Sequence, residues 1–250
     1  MTDHILVEHP IDHPGVQIIR FNRPDKKNAI TRAMYSAMTE ALTSADSNPD
    51  IRATAFLGTE GCFSAGNDLG DFLEVAMGGG MPREVIDFLY ALVRSAKPVV
   101  SGVDGLAIGI GTTMHLHCDM TVASARSQFR TPFVDLALVP EAASSLLAPR
   151  IMGAQRAFAM LAAGEAFSGD EARDAGLVFK LVEPHQVEAE TLSLAAKLAS
   201  KPPEALRLSR DLIRGDREEI IARIDEEARH FATRLQSAEA RAAFEAFMRR

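Results

Sequence analysis

The sequence predicts an α/β protein, with a mixed core over residues 1–200 and a helical region over residues 201–250. Three observations carry this. Apolar, strand-like runs alternate with segments of helical period through the first part of the chain. Two glycine-rich loops each stand between a strand and a helix. After Lys201-Pro202-Pro203 the pattern becomes helical throughout and rich in Arg and Glu. A chain of 250 residues is long enough to bury a large core.

The elements follow in order. Residues 5–8 and 15–22 pattern as an antiparallel pair joined through Pro10-Ile11-Asp12-His13-Pro14. Thr31 is placed to cap a helix running to Ser47, with Met34, Met38, Ala41 and Leu42 on one face. Residues 51–57 are β-rich and end at Gly58. A turn-dense stretch follows, Gly61-Cys62-Phe63-Ser64-Ala65-Gly66-Asn67-Asp68. Gly78-Gly79-Gly80 is a flexible break, and Pro82 opens the next helix. Residues 99–103 are a buried-type strand leading into Gly105-Leu106-Ala107-Ile108-Gly109-Ile110-Gly111-Thr112-Thr113. Residues 118–123 read as a strand and residues 133–140 as extended and apolar, with a helix beginning at Glu141. Helices then dominate, interrupted by a strand at residues 177–182.

Bulk properties exclude several classes. Composition is that of a globular protein, 47% hydrophobic and 24% charged. A net charge of −7 argues against a nucleic-acid surface, so an anionic ligand needs a local site. Cys62 and Cys118 are too few for a disulfide framework and read as small buried residues. Met1-Thr2-Asp3-His4 lacks the basic patch and apolar run of a signal peptide. No apolar stretch is long enough to span a bilayer, so neither a membrane nor a nucleic acid is expected as a partner. The expected location is cytoplasmic.

Both glycine loops expose backbone N–H groups at a helix start, where negative charge is favoured. A phosphate, a carboxylate or a developing oxyanion would suit such a place, and glycines serving only tight turns are the plain alternative. Gly109-Ile110-Gly111 begins like a dinucleotide fingerprint, but Met114 stands where the third glycine belongs. No Lys-Ser/Thr pair follows to make a P-loop.

Taken together, the segments resemble a known family. Phe63-Ser64-Ala65-Gly66-Asn67-Asp68-Leu69, then Lys97-Pro98-Val99-Val100 with Gly105-Leu106-Ala107-Ile108-Gly109-Ile110-Gly111, are similar to the paired signatures of the crotonase (enoyl-CoA hydratase/isomerase) superfamily. Asn22-Arg23-Pro24-Asp25-Lys26-Lys27-Asn28-Ala29, Cys118-Asp119, Gly169-Asp170-Glu171-Ala172 and Gly176-Leu177-Val178 extend the likeness over nearly the whole chain. The resemblance implies a spiral of ββα units with a C-terminal helical region that mediates oligomerisation, as a homotrimer or hexamer. It implies an acyl-CoA substrate whose thioester oxygen sits between the backbone N–H groups of Asn67 and Ile110. It also implies that Ala65, Gly66, Asn67, Asp68 and Leu69 hold the coenzyme A portion. Lys26 and Lys27 are candidate phosphate contacts. Coenzyme A belongs to the substrate, and no further cofactor or metal is expected.

The side chains select the reaction. The two glutamates of hydratases align on Thr113 and Phe133, neither of which can act as a carboxylate base. Glu141 remains, in Leu138-Val139-Pro140-Glu141-Ala142-Ala143-Ser144-Ser145. Its apolar surroundings would desolvate a carboxylate and raise its pKa, as a working base needs. On residue physics alone, a helix-start carboxylate stabilised by the dipole is the favoured reading. Asn67-Asp68-Leu69 with Pro140-Glu141 and Ser144-Ser145 is similar to the peroxisomal-type Δ3,Δ2-enoyl-CoA isomerase branch, and that resemblance makes Glu141 the single catalytic base. Hydration, or another acyl-CoA reaction, is the alternative chemistry. A non-catalytic acyl-CoA-binding protein is the alternative class, to which a carboxylate beside the thioester would contribute nothing.

Other groups have plainer readings. His115 and His117 lack a third metal ligand at standard spacing. Asp68 is placed to cap the helix after its loop, and Asp135 would be catalytic only in a hydrolase or dehalogenase variant. Ser144 and Ser145 shape the loop around Glu141. The segment around Gly78 and the following helix, with Phe88, Leu89 and Leu92, is expected to line the acyl pocket. Phe231, Leu235, Phe244 and Phe247 are expected on exposed faces that neighbouring subunits cover.

Overall fold

After an opening hairpin and helix, successive passes of the chain through the core lay one strand in each of two sheets. The computed structural model describes residues 2–68, 70, 71 and 82–248, the last two as backbone only. Leu69, Gly78, Gly79, Gly80 and the Phe247 side chain lie outside the described residues. Among the described residues the larger sheet has six strands in the order β1 (Ile5–Glu8), β2 (Val16–Phe21), β3 (Ala53–Leu57), β5 (Val99–Val103), β7 (Met120–Ser124) and β10 (Lys180–Val182). The smaller has β4 (Cys62–Ser64), β6 (Leu106–Ile108), β8 (Gln128–Arg130) and β9 (Phe167–Ser168). The β1–β2 and β8–β9 pairs are antiparallel and the rest are parallel. The successive couples β3–β4, β5–β6 and β7–β8 form the ββα spiral, with the helices between and after them as follows.

The helices are α1 (Arg32–Ser47), α2 (Arg83–Arg94), α3 (Ile110–Thr113), α4 (Ser144–Met152), α5 (Ala154–Leu161), α6 (Gly169–Asp174), α7 (Val187–Ala199), α8 (Pro203–Arg214), α9 (Arg217–Leu235) and α10 (Ala238–Met248). Both faces of the larger sheet are covered, which is why its parallel strands read as unbroken apolar runs. Val16, Ile18, Ala55 and Val100 meet Leu192 and Ala195 of α7 on one side. On the other, Ile19, Phe21, Phe56 and Val103 meet α1 and α2. Thr31 Oγ1 accepts the Met34 N–H at 3.3 Å and so caps α1, whose Met34, Met38, Ala41 and Leu42 are buried. Strands β4, β8 and β9 are too short to stand out from the turns around them.

Three expectations are corrected. Residues 133–140 are not extended: Val134–Leu136 is a 3₁₀ turn ended by Ala137 at a φ of 56°. The helix near Glu141 starts at Ser144, three residues later. Phe231, Leu235 and Phe244 are not on an exposed face; they are 3%, 4% and 4% exposed, buried against the core of their own chain. Among the described residues, the large apolar side chains left exposed on the C-terminal helices are Leu208, Leu212 and Ile213 of α8.

Asp119 pins the C-terminal region to the core. Its carboxylate accepts Arg210 Nε at 2.8 Å and Arg214 Nε at 3.1 Å, while Oδ2 also takes the Val99 N–H at 2.8 Å. Arg210 is 5% exposed and also donates to the Ser95 carbonyl. No described helix is long and apolar enough to cross a membrane. Removing one partner of a buried ion pair leaves the other charge uncompensated and typically costs about 3–5 kcal/mol. Asp119→Ala is therefore expected to destabilise the fold by that order, read as a lower urea midpoint, with loosening concentrated in α8.

Candidate active site

Two adjacent parallel strands aim their C-terminal loops at one spot. Strands β4 and β6 pair with Cys62 opposite Leu106 and Ser64 opposite Ala107, so the chain leaves both strands side by side. Gly66 lies so close to the β6 loop that a Cβ there would stand 2.9 Å from the Ile108 carbonyl oxygen. Gly109 precedes α3 at φ 57° and ψ −123°, a backbone state that only glycine adopts without strain. The first loop is held along its outer edge by residues upstream. Ala65 N–H donates to the Lys27 carbonyl at 2.9 Å, Ile30 N–H to that of Gly66 at 2.8 Å, and Asp68 N–H to that of Ile30 at 2.9 Å. Asn28, buried at a φ of 53°, ties this edge to β4 by donating to the Cys62 and Phe63 carbonyls at 3.0 and 3.1 Å. The Asn22–Ala29 motif is thus a brace for the loop.

These and adjoining contacts spend the N–H groups of Ala65, Gly66, Asp68 and Gly109. Among the described residues neither the Asn67 nor the Ile110 N–H has a hydrogen-bond partner. Ile110 is the first residue of α3, where an N–H has no carbonyl one turn back. Both residues line a cavity of about 850 Å³. Ala65, Gly66, Asp68, Lys26 and Lys27 line it too, together with Arg23 and Arg130. Its apolar wall comes from Phe133, Leu136 and Leu138, closed by Phe231 of α9 and Phe244 of α10. Of the residues expected at the site, Leu69 and the segment around Gly78 lie outside the described ones.

Glu141 lies next to this cavity. It lines a smaller one of about 20 Å³ with Tyr35, Pro82 and Val85, and Asn67 and Asp68 border both spaces. The helix after Pro82 contributes Val85, whereas Phe88, Leu89 and Leu92 are core residues, Phe88 packing on Tyr35 at 5.5 Å and Phe56 at 6.3 Å. The Glu141 carboxyl is 3% exposed, and Thr113 Oγ1 donates to its Oε1 at 2.5 Å. Burial pushes its pKa up to about 8 against the pull of the Thr113 hydroxyl, and the nearby Glu227 carboxyl adds to the rise. The helix dipole does not reverse this, because Glu141 is not at the start of the helix. Glu227 takes that place, with its Oε1 accepting the Ser145 N–H at 2.9 Å and the Ser145 hydroxyl at 2.5 Å.

The turn between Glu141 and α4 is strained. Ala142 and Ala143 both have positive φ, 58° and 53°. Left-handed geometry at a residue other than glycine costs roughly 1–3 kcal/mol and persists only where the surroundings enforce it. His117 Nε2–H donates to the Ala142 carbonyl at 2.7 Å. Burial lowers the His117 pKa to about 4 and that of His115 to about 3, so both are neutral core groups. Among the described residues no group of three or more His, Cys, Asp and Glu could hold a metal.

The other polar groups have fixed duties. Tyr35 Oη donates to Asn67 Oδ1 at 2.5 Å and orients that amide. Arg23 Nη1 binds Asp68 Oδ2 at 2.6 Å and the Ala29 carbonyl at 2.9 Å. Burial pushes the Asp68 carboxyl up, but Arg23 and the Asp71 and Gly70 N–H groups bring it below its ordinary value, as a loop cap requires. Asp135 is an exposed partner of Arg130 at 2.8 Å. Burial raises the thiol pKa of Cys62 and that of Cys118, the latter to about 12. Sequence reasoning missed Tyr35 and Arg23, and the repeat of the apolar face in α1 gave no sign that a hydroxyl on it would reach Asn67.

The sequence model described as enoyl-CoA hydratase/isomerase matches residues 12–250. The chain is 36% identical over 220 residues to enoyl-CoA delta isomerase 2 of Rattus norvegicus, covering 85% of this chain and 56% of that protein. It is 35% identical over 208 residues to enoyl-CoA delta isomerase 3, peroxisomal, of Mus musculus, covering 80% and 64%. The chain thus spans less than two thirds of these curated relatives. The solved structure of OdaA from Pseudomonas aeruginosa covers all of both chains at 39% identity and a TM-score of 0.94.

The Glu141 geometry has a thermodynamic consequence. A carboxyl whose folded pKa of about 8 exceeds its ordinary 4.5 binds more protons in the native state than in the unfolded state between those values. Stability is therefore lost as pH rises through that window. Glu141→Gln is expected to flatten the dependence of unfolding free energy on pH there and to be the more stable protein at the alkaline end, measured by denaturant titration at a series of pH values.

Proposed function

Because this chain belongs to the enoyl-CoA hydratase/isomerase family, we propose that it is a Δ3,Δ2-enoyl-CoA isomerase working through one carboxylate. One observation supports this reading above the others. Beside Asn67 stands the buried Glu141 carboxyl with a raised pKa, while Thr113 and Phe133, which the family resemblance aligns with the glutamate pair of hydratases, are not carboxylates. The other carboxylate bordering both cavities, Asp68, is bound to Arg23 and held ionised, which suits a cap and not a proton carrier.

The chemistry follows from those groups. The C2 protons of a 3-enoyl thioester are acidic, because loss of one gives a dienolate spread onto the carbonyl oxygen. The ionised Glu141 takes a C2 proton; the C–H electron pair forms a double bond between C1 and C2 and the carbonyl pair moves onto the thioester oxygen, giving a dienolate that keeps its C3–C4 double bond. The N–H groups of Asn67 and Ile110 hold that oxygen, each by precedent supplying about 2.7–4 kcal/mol to an oxyanion. Glu141 then returns the proton at C4, leaving the double bond between C2 and C3. Thr113 engages one oxygen of Glu141, so the other carries the proton. The Ala65–Asp68 backbone and Lys26 and Lys27 serve the coenzyme A portion, and the apolar wall receives the acyl chain. Trimer or hexamer formation belongs to the same proposal, with Leu208, Leu212 and Ile213 of α8 as apolar groups that neighbouring subunits would cover.

Glu141→Gln keeps the shape and the bond to Thr113 but removes the base. General bases typically contribute about 10²–10⁴-fold, and here one group takes and returns the proton, so turnover of 3-enoyl-CoA is expected to fall by at least the upper figure while acyl-CoA binding persists. Asn67→Ala keeps its backbone donor and is expected to lose much less. Near-normal turnover in Glu141→Gln, or hydration of 2-enoyl-CoA as the main activity of the unmodified protein, would sink the isomerase reading. In light scattering at micromolar concentration the protein is expected to have the mass of a trimer or hexamer, and a monomer would remove that part of the proposal.

A further inference from the structure

Glu227 stands in the middle of an apolar stripe. Ile224, Phe231 and Leu235 share its face of α9 and are buried, and Glu227 itself is 6% exposed. One oxygen, Oε1, takes the Ser145 N–H and hydroxyl. The Ala143 N–H also approaches this carboxyl and favours its charge. The other, Oε2, is buried with no partner among the described residues. A buried acceptor left unpaired is a burden on stability, so stability alone gives no reason for a carboxylate here. Its donors are informative. Ala143 is the second of two left-handed alanines, and Ser145 is the second residue of α4, whose own cap position holds alanine and offers no side chain. The Ala142 carbonyl is held by His117. The strained turn that aims Glu141 is therefore gripped from one side by the core and from the other by a helix of the C-terminal region.

We propose that Glu227 is a positioning residue for Glu141, clamping the turn over Ala142 and Ala143 so that the base faces the Asn67 loop only when α9 is docked. This rests on the reading of Glu141 as the base. The charged and titratable groups around the clamp are Arg223 of α9, which donates to Ser145 Oγ at 3.1 Å and pairs with Glu226 at 3.1 Å, the Glu141 carboxyl itself, and His117 on the Ala142 carbonyl. The same helix face also brings Phe231 to the cavity wall. One docking event thus closes the cavity and orients the base.

The test compares Glu227→Ala with Glu227→Gln. Glutamine retains an oxygen for the Ser145 and Ala143 donors and alanine does not. Misplacing a reacting group by about 1 Å costs on the order of 100-fold, so kcat for 3-enoyl-CoA is expected to fall by that order in Glu227→Ala. KM should stay within about twofold, since uniform binding is untouched, and Glu227→Gln should recover most of kcat. Unchanged kcat in Glu227→Ala, a Gln variant no better than Ala, or a matched change in KM would overturn the proposal. A readout without substrate separates this from failure of the isomerase reading. Carbon NMR of labelled glutamate, with Glu141→Gln identifying the signal, follows the Glu141 titration. Its midpoint is expected to move down in both Glu227 variants as the neighbouring carboxyl is lost. Amide exchange at Ala143 and Ser145 is expected to quicken in the alanine variant alone. An unmoved midpoint together with unaltered exchange would overturn the clamp even in an enzyme that isomerises well.

Discussion

Parallel pairing of two three-residue strands, β4 and β6, is the constraint on which the rest of the site depends. Parallel neighbours end at the same edge of the sheet, so the loops that follow them start together. Glycines let those loops approach closer than side chains would permit, and the Asn28 brace with the 65–68 edge uses up the surrounding N–H groups. Among the donors left without a partner are the N–H groups of Asn67 and Ile110, two residues that line one cavity. Backbone donors held by sheet and brace reorganise little when charge develops before them, the property that makes such groups effective. The side chain at Ile110 is buried in the core, and the part proposed for this residue at the site needs only its backbone N–H.

The carboxyl beside these donors is governed by the opposite force. Placing Glu141 in a dry pocket disfavours its charge, and the usual remedy, a helix N-terminus, lies one turn away and is already occupied by Glu227. The protein holds its acid between two demands, since Thr113 favours the ionised form while burial and Glu227 oppose it. A base that must take a proton and give it back within one reaction works best when neither state is strongly preferred. The strained alanines between Glu141 and α4 belong to the same arrangement, as they turn the side chain away from the helix start that would otherwise stabilise it.

Much of this was legible in the residues. The larger sheet could be read because unbroken apolar runs such as Val99–Val103 mean a strand covered on both faces, and α1 because Thr31 and the Met34, Met38, Ala41 repeat mark a capped, one-sided helix. The glycines of both loops announced their backbone role. The left-handed turn at Ala142 and Ala143 was not legible, because alanine favours a helix and only tertiary contacts override it; hence the helix was expected at Glu141. Strands β4, β8 and β9 of the smaller sheet were hidden because two or three residues carry no period. For α9 and α10 the apolar stripe was read correctly but its partner was not. A stripe says that a face is covered, never by which chain, and here the core of the same chain covers Phe231, Leu235 and Phe244. A glutamate falling in register with that stripe, at Glu227, was the available signal that the face meets something polar.

Asp119 and its two arginines carry a consequence for the life of the chain during synthesis. The cavity draws on residues from Arg23 to Phe244, so contacts distant in sequence must form before the site exists, and such contacts close late in folding. A nascent chain that has made both glycine loops and Glu141 still lacks the wall given by Phe231 and Phe244, and its exposed apolar surface is of the kind that associates with other unfinished chains. The arginines of α8 reach Asp119 just ahead of α9 in the order of translation, so they act as the first fastening of the late-made region. Completion of the site thereby coincides with the burial of its stickiest surface.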